Sequence, residues 1–156
     1  MNLTPNQRKS AAALSVTASL VAGIALNEGF KGHAYADSGG VYTVGYGETK
    51  GVKKDDTTTK ERALIVLGHS IDGYAIGVRD CLTAPVTQGE FNSLVDAAYN
   101  TGTKAVCKSP MIRYFNQQKY EAACLAFKGW YVHDHEGHFL NGLVNRRNKE
   151  YLLCIG

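Results

Sequence analysis

The sequence predicts an α+β fold in which one helix is followed by a small sheet and then by a larger set of helices. Three observations favour this class. An apolar run with helical spacing lies near the N-terminus, a Gly- and Tyr-rich stretch with strand-like alternation follows over residues 30–48, and helical spacing returns from Thr58 onward. A chain of 156 residues is long enough for one domain with its own core.

The N-terminal apolar segment has two interpretations. Its 18 uncharged residues, 10–27, follow two basic residues, which is the layout of an export or anchor signal. Because the run is rich in alanine and contains hydroxyl residues, a bilayer would hold it only weakly. The alternative is a core helix, since Val16, Leu20 and Ile24 share one helical face. The two are compatible if the segment enters the membrane first and folds into the domain later.

The following elements are predicted from turn and capping signals. Residues 38–40 form a glycine turn, and residues 41–46 have the alternation of a strand. A polar loop over 48–57 leads to a capping-box sequence at 58–61, and a second box occurs at 87–90. Further helices are predicted around residues 110–117, 118–130 and 140–154.

Charge and cysteine content limit the classes of function. The net charge of +3, from 17 basic and 14 acidic residues, is too small and too scattered to indicate nucleic-acid binding. The four cysteines form no C-x-x-C pair and show no metal-ligand spacing. Four cysteines permit three disulfide pairings, whereas a reducing compartment would leave four buried thiols. The residues alone leave both possibilities open.

The candidate catalytic residues are Glu28, Asp37 and Thr43. Glu28 lies where the first helix should end, with Gly29 as its C-terminal cap. The negative end of the helix dipole and the apolar neighbours would raise the pKa of this carboxyl, as a general acid needs. Asp37 lies at a glycine-rich turn, and Thr43 offers a hydroxyl from the next strand. Two carboxylates in unlike surroundings suit glycoside hydrolysis, although a helix-end Glu and a turn Asp are each common.

The spacing Glu28-x8-Asp37-x5-Thr43, with T-x-G-Y-G over residues 43–47, resembles the catalytic signature of bacteriophage endolysins of the lysozyme type. This group is glycoside hydrolase family 24, which includes the T-even phage lysozyme. The resemblance extends over nearly the whole chain. Similar residues stand at Thr87, Gln88, Phe91, Leu94, Tyr99, Asn100, Gly102, Ser109, Arg113, Asn116, Trp130, Gly142, Leu143, Arg146, Arg147 and Glu150.

The resemblance implies a lysozyme-like fold with a small β-lobe, a larger helical lobe and a cleft between them. It implies hydrolysis of the β-1,4 bond between N-acetylmuramic acid and N-acetylglucosamine in peptidoglycan, without a cofactor or metal. Glu28 would protonate the leaving oxygen, while Asp37 and Thr43 would position the water. Because the family inverts configuration, the carboxyl groups should stand roughly 6.5–9.5 Å apart. The supporting or substrate-binding candidates are Tyr35, Tyr46 and Arg146.

The N-terminal segment is similar to that of signal-anchor-release endolysins, whose weak anchor holds the enzyme at the membrane before release. This predicts two parts, residues 1–27 as anchor or first helix and 28–156 as the catalytic domain. It also predicts a monomer that contacts the host inner membrane through residues 10–27 and then acts in the periplasm; the alternative is a cytoplasmic enzyme that needs a holin. Related endolysins carry cysteines at similar positions, which implies the pairs Cys81–Cys107 and Cys124–Cys154.

Three other functions were weighed. The histidine-rich run over residues 133–138 is compatible with a zinc amidase or peptidase, but it lacks the H-E-x-x-H pattern and is interpreted as a solvated loop. A lytic transglycosylase would cut the same bond with one Glu and without Asp37. A membrane-anchored, holin-like protein would use residues 10–27 and would leave Glu28, Asp37 and Thr43 without a role.

Overall fold

The computed structural model describes residues 7–134 and 136–156, and the predicted α+β class is confirmed there. The described chain contains seven α-helices and one two-stranded antiparallel sheet. The helices are α1 (Ala18–Glu28), α2 (Lys60–Cys81), α3 (Gln88–Thr101), α4 (Thr103–Cys107), α5 (Pro110–Asn116), α6 (Tyr120–Leu125) and α7 (Asn141–Ile155), and the strands are β1 (Lys31–Ala36) and β2 (Tyr42–Gly45).

The chain divides into two compact units. The small unit is Val16–Asp72, and the large unit combines residues 7–15 with residues 73–156. The boundary falls within α2, so this helix contributes to both units. The division at residue 27 that the sequence suggested separates an anchor from a catalytic domain, and it stays a prediction. Residues 1–6 of that proposed anchor lie outside the described residues.

The N-terminal apolar segment is not one continuous helix. Ser10 accepts a hydrogen bond from the backbone N–H of Ala12 and starts a 3-10 turn, after which Leu14 is extended. Thr17 accepts from the backbone N–H of Leu20 and starts α1. These hydroxyls offer the backbone local partners, which ends one helical stretch and begins another. Within the described part of the chain, every helix is too short or too polar to span a bilayer.

Residues 8–15, here called the N-terminal strap, are held against the rest of the large unit. Lys9 and Val86 exchange two backbone hydrogen bonds of 2.8 Å. Arg8 forms a 2.8 Å ion pair with the buried carboxylate of Glu90, and its guanidinium lies 3.6 Å from the centre of the Tyr120 ring. Arg79 donates to two strap carbonyls, at 3.2 and 2.6 Å. The strap is therefore fixed by both its backbone and its side chains.

In the small unit, α1 precedes a β-hairpin. Leu20, Ile24 and Ala25 are the buried residues of α1, as the helical spacing of Leu20 and Ile24 predicted. In the hairpin, Tyr35 pairs with Thr43, and an irregularity interrupts the register between Lys31 and Tyr35. The hairpin thus holds the predicted turn and the predicted threonine in one short element.

In the large unit, α3 is the most deeply buried helix. Its residues 90–98 are all buried, and it packs against α7 and α4. The predicted capping box is confirmed, since the Thr87 side chain bonds the backbone of Glu90 and the Glu90 side chain bonds the backbone of Thr87. In α2 the observed cap is one residue later than the predicted box, because Thr59 accepts from the backbone N–H of Arg62.

Both implied disulfides are present in the large unit. Cys81 at the end of α2 is bonded to Cys107 at the end of α4, and Cys124 in α6 is bonded to Cys154 in α7. The Cα–Cα distances of 5.7 and 5.6 Å lie in the ordinary range for disulfides. The second disulfide therefore ties the last helix to the body of the unit.

Candidate active site

Glu28 is the last residue of α1, as predicted. Gly29 caps the helix with a φ of 72°, and its N–H donates to the carbonyl of Ala25 at 3.0 Å. The left-handed backbone at this position suits glycine. Glu28 is exposed to solvent, and its neighbour Leu26 is 84% exposed. The apolar surroundings that the sequence suggested for this carboxyl are therefore not supplied by Leu26.

Asp37 is fixed by the hairpin turn. Its Oδ1 accepts the backbone N–H of Gly39 at 2.9 Å and that of Val41 at 2.8 Å. The backbone of the turn is closed by a hydrogen bond from the N–H of Asp37 to the carbonyl of Val41, also 2.9 Å. Gly40 has a φ of 79°, which a residue with a side chain rarely adopts. One carboxylate oxygen therefore holds the turn, which fixes the direction of the other.

Thr43 lies on β2 and is 7% exposed. Its Oγ1 lies 3.4 Å from the carbonyl oxygen of Val41, within the turn that Asp37 closes. The cross-strand partner of Thr43 is Tyr35. The hydroxyl of Thr43 and the carboxylate of Asp37 are thus held by the same hairpin.

The two candidate tyrosines differ in their surroundings. Tyr35 is 45% exposed. Tyr46 is half-buried, and its ring centre lies 5.5 Å from that of Phe30. Tyr46 therefore contributes to the aromatic packing of the small unit, while Tyr35 has the more accessible ring.

Arg146 lies in the large unit on α7, whereas the predicted catalytic residues and both candidate tyrosines lie in the small unit. Its Nε and Nη2 donate to one oxygen of Asp96 at 3.0 and 2.6 Å, and its Nε lies 3.8 Å from Glu150. Asp96 was not singled out from the sequence. Since it is 50 residues from Arg146 along the chain, no local pattern connects the two.

A second arginine on α7 is fully buried against a glutamate. Arg147 Nη1 lies 3.1 Å from Glu150 Oε2, and both side chains are completely inaccessible. Arg147 also donates to Asn100, and its guanidinium lies 5.4 Å from the Trp130 ring. Among the described residues, no donor bonds the Glu150 carboxylate with good hydrogen-bond geometry. Burial raises the pKa of Glu150 to about 8 despite the nearby arginines, and burial lowers the pKa of Arg147.

The histidine-rich loop between α6 and α7 brings three potential ligand residues together. The ligand atoms of Asp134, Glu136 and His138 lie within 4.8 Å of one another. His135, part of the run noted in the sequence, lies outside the described residues. This loop belongs to the large unit and contains none of the proposed catalytic residues.

Comparison with known proteins gives consistent matches. The phage lysozyme family model matches residues 25–150. The chain is 33% identical over 141 residues to a SAR-endolysin of Pseudomonas phage phiKMV, covering 88% of this chain and 87% of that protein. It is also 33% identical over 115 residues to an endolysin of Bacillus phage B103, covering 73% of this chain but 43% of that longer protein.

The fold is also similar to a solved structure, the endolysin from Escherichia coli O157:H7 phage FAHEc1. The TM-score is 0.83 at 30% identity, with 92% of this chain and 94% of that chain covered. The region that the family model matches contains the end of α1, the hairpin, and the arginines of α7. Sequence and fold therefore agree that the chain belongs to the phage lysozyme family.

Proposed function

We propose that this protein is a lysozyme-type endolysin that hydrolyses peptidoglycan during phage-induced lysis of the host. The bond cleaved is the β-1,4 link between N-acetylmuramic acid and N-acetylglucosamine. The observation that carries the proposal is the hairpin that fixes Asp37 and Thr43 in the same small unit as Glu28, with the spacing of the lysozyme signature.

In this mechanism Glu28 is the general acid that protonates the leaving oxygen. Its place at an exposed helix end gives a glycan access to the carboxyl. Asp37 uses Oδ1 to hold the turn, and we assign its Oδ2 to the attacking water. The Thr43 hydroxyl would hold the same water. Attack from the face opposite the leaving group inverts the anomeric carbon.

The decisive experiment is digestion of purified peptidoglycan, with the products identified by mass spectrometry. Wild type should release new reducing N-acetylmuramic acid ends, with or without EDTA. Glu28→Gln should abolish release, while Glu121→Gln, which changes an exposed glutamate on α6, should leave it unchanged. Anhydro ends would instead indicate a transglycosylase. Amine or stem-peptide products that disappear with EDTA would indicate a metal-dependent amidase or peptidase.

The role of Asp37 needs two variants, because its carboxylate also holds the turn. Asp37→Asn keeps an oxygen that can accept the two backbone N–H groups and removes the charge. Asp37→Ala removes both. If the charge acts on the reaction, both variants lose activity while Asp37→Asn keeps wild-type stability. Activity retained in Asp37→Asn would mean that Asp37 holds the turn and that its charge does not act on the reaction.

We also propose that the N-terminal segment holds the enzyme at the host inner membrane before it acts in the periplasm. The likeness to a SAR-endolysin and the 18 uncharged residues support this. As one helix, these residues would extend about 27 Å, slightly less than the roughly 30 Å of bilayer hydrocarbon. A membrane-inserted form would therefore require the strap and α1 to become one helix, at the expense of the strap contacts.

This proposal is tested with charges at exposed positions, since deleting the segment would also remove buried residues. Ala13 and Ala22 are exposed, so replacing each with Asp should preserve the fold. An aspartate near the centre of a membrane helix costs about 2.5–3.5 kcal/mol, so the variant at Ala22 should move from the membrane to the soluble fraction. The variant at Ala13, which is closer to the end of the segment, should move in the same direction but less. Ile76→Asp, at a 57% exposed position outside the segment, is the control. Equal partitioning of all forms would exclude the anchor.

A further inference from the structure

Backbone hydrogen bonds close the second part of the loop between α6 and α7. The N–H of Leu140 donates to the carbonyl of Val132 at 2.9 Å, and the N–H of Asp134 donates to the carbonyl of His138 at 3.0 Å. At its tip Gly137 has a φ of 86°, a conformation that suits glycine. This geometry places residues 134 and 138 side by side.

The two carboxylate oxygens of Asp134 have separate surroundings. Oδ1 accepts the backbone N–H groups of Glu136 and His138, both at 2.9 Å, and so holds the turn. Oδ2 lies 3.2 Å from the Nδ1 atom of His138. The same Nδ1 lies 3.6 Å from Oε2 of Glu136. Three potential ligand atoms therefore converge while the turn is held by a different atom.

We propose that Asp134, Glu136 and His138 bind a divalent transition-metal ion, with Zn²⁺ as the best-suited probe. In a tetrahedral zinc site with bonds of 2.0–2.1 Å, ligand atoms stand about 3.3–3.4 Å apart. The observed separations of 3.2 and 3.6 Å lie on either side of this value. One imidazole with two carboxylates is a ligand set that zinc accepts. The exposure of Glu136 and His138 leaves the fourth position to water.

The electrostatics of the loop are compatible with a cation at the same place. The two carboxylates have ligand atoms within 4.8 Å of each other and repel, and either a positive charge on the His138 ring or a cation between them would offset this repulsion. The site also precedes α7 directly, and that helix begins at Asn141 without a side-chain cap at Leu140. A bound ion would therefore order the segment that leads into the helix carrying Arg146 and Arg147. It has no part in the proposed glycosidase reaction.

The test is isothermal titration of the untagged, oxidised full chain with ZnCl₂ in a buffer that does not bind metals. Wild type should bind one ion, and His138→Ala should weaken binding about tenfold or more. Asp134→Asn, which keeps an oxygen for the turn, should do the same. His69→Ala removes an exposed histidine on α2 and should bind like wild type.

A complementary measurement is the visible spectrum of the Co²⁺-substituted protein, which should show tetrahedral absorption that His138→Ala removes. Absence of binding at about 100 µM Zn²⁺ would overturn the proposal. So would equal binding by wild type and His138→Ala, which would mean an adventitious ion only. The peptidoglycan assay is read with and without EDTA and does not depend on metal binding. A protein that digests peptidoglycan but binds no Zn²⁺ would therefore refute this proposal and leave the proposed function intact.

Discussion

Removing the Cys124–Cys154 disulfide should destabilise the protein strongly. This bond joins residues 30 apart. A crosslink of that span lowers the conformational entropy of the unfolded chain, which stabilises the folded state by about 3.6 kcal/mol at 25 °C. Both sulfurs are buried, with residue exposures of 3% and 1%, so truncation to alanine also loses packing. The double variant Cys124→Ala/Cys154→Ala should therefore unfold about 7–14 °C below wild type.

The assay is thermal unfolding followed by circular dichroism, with free thiols checked by mass spectrometry. The matched control is Cys81→Ala/Cys107→Ala, whose bond spans 26 residues and predicts a nearly equal entropic loss of about 3.5 kcal/mol. Because Cys81 and Cys107 are only half-buried, this control should be the less destabilised of the two. A Cys124/Cys154 variant that melts within about 2 °C of wild type, or above the control, would refute the reasoning.

Three further outcomes follow from buried polar groups of the large unit. The pKa of Glu150 is raised from 4.5 to about 8, so the folded state holds this proton more tightly than the unfolded state does. The resulting contribution to the free energy of unfolding is fully present below about pH 4.5 and is lost as the pH rises towards 8. Urea titrations should show this decline in wild type and a flatter profile in Glu150→Gln; parallel profiles would contradict it. Arg8→Ala leaves the carboxylate of Glu90 buried without its arginine and should cost about 3 kcal/mol, a loss that Glu90→Gln should reduce in a double-mutant cycle. Thr87→Ala should cost about 1 kcal/mol by losing the cap of α3, whereas Thr87→Ser should stay close to wild type in the same titration.

The elements predicted most accurately depend on near neighbours in the chain. The capping box of α3 uses Thr87 and Glu90, and the end of α1 uses Gly29, so each is set by backbone hydrogen bonds over a few residues. The N-terminal segment was predicted less well. Its apolar composition suggested one helix, but the hydroxyls of Ser10 and Thr17 cap two separate stretches.

The sequence by itself determined the fold class and the family signature at Glu28, Asp37 and Thr43. The family resemblance, rather than the residues alone, implied the two disulfide pairs that the structure contains. Only the tertiary structure decided the partners of the buried charges and the convergence of ligand atoms in the α6–α7 loop. The reason is physical. Helix ends and turns follow from local sterics and hydrogen bonds, whereas the pairing of Arg146 with Asp96 joins residues 50 apart. Such a pair forms only because folding removes both groups from water, so that each becomes the counter-charge of the other.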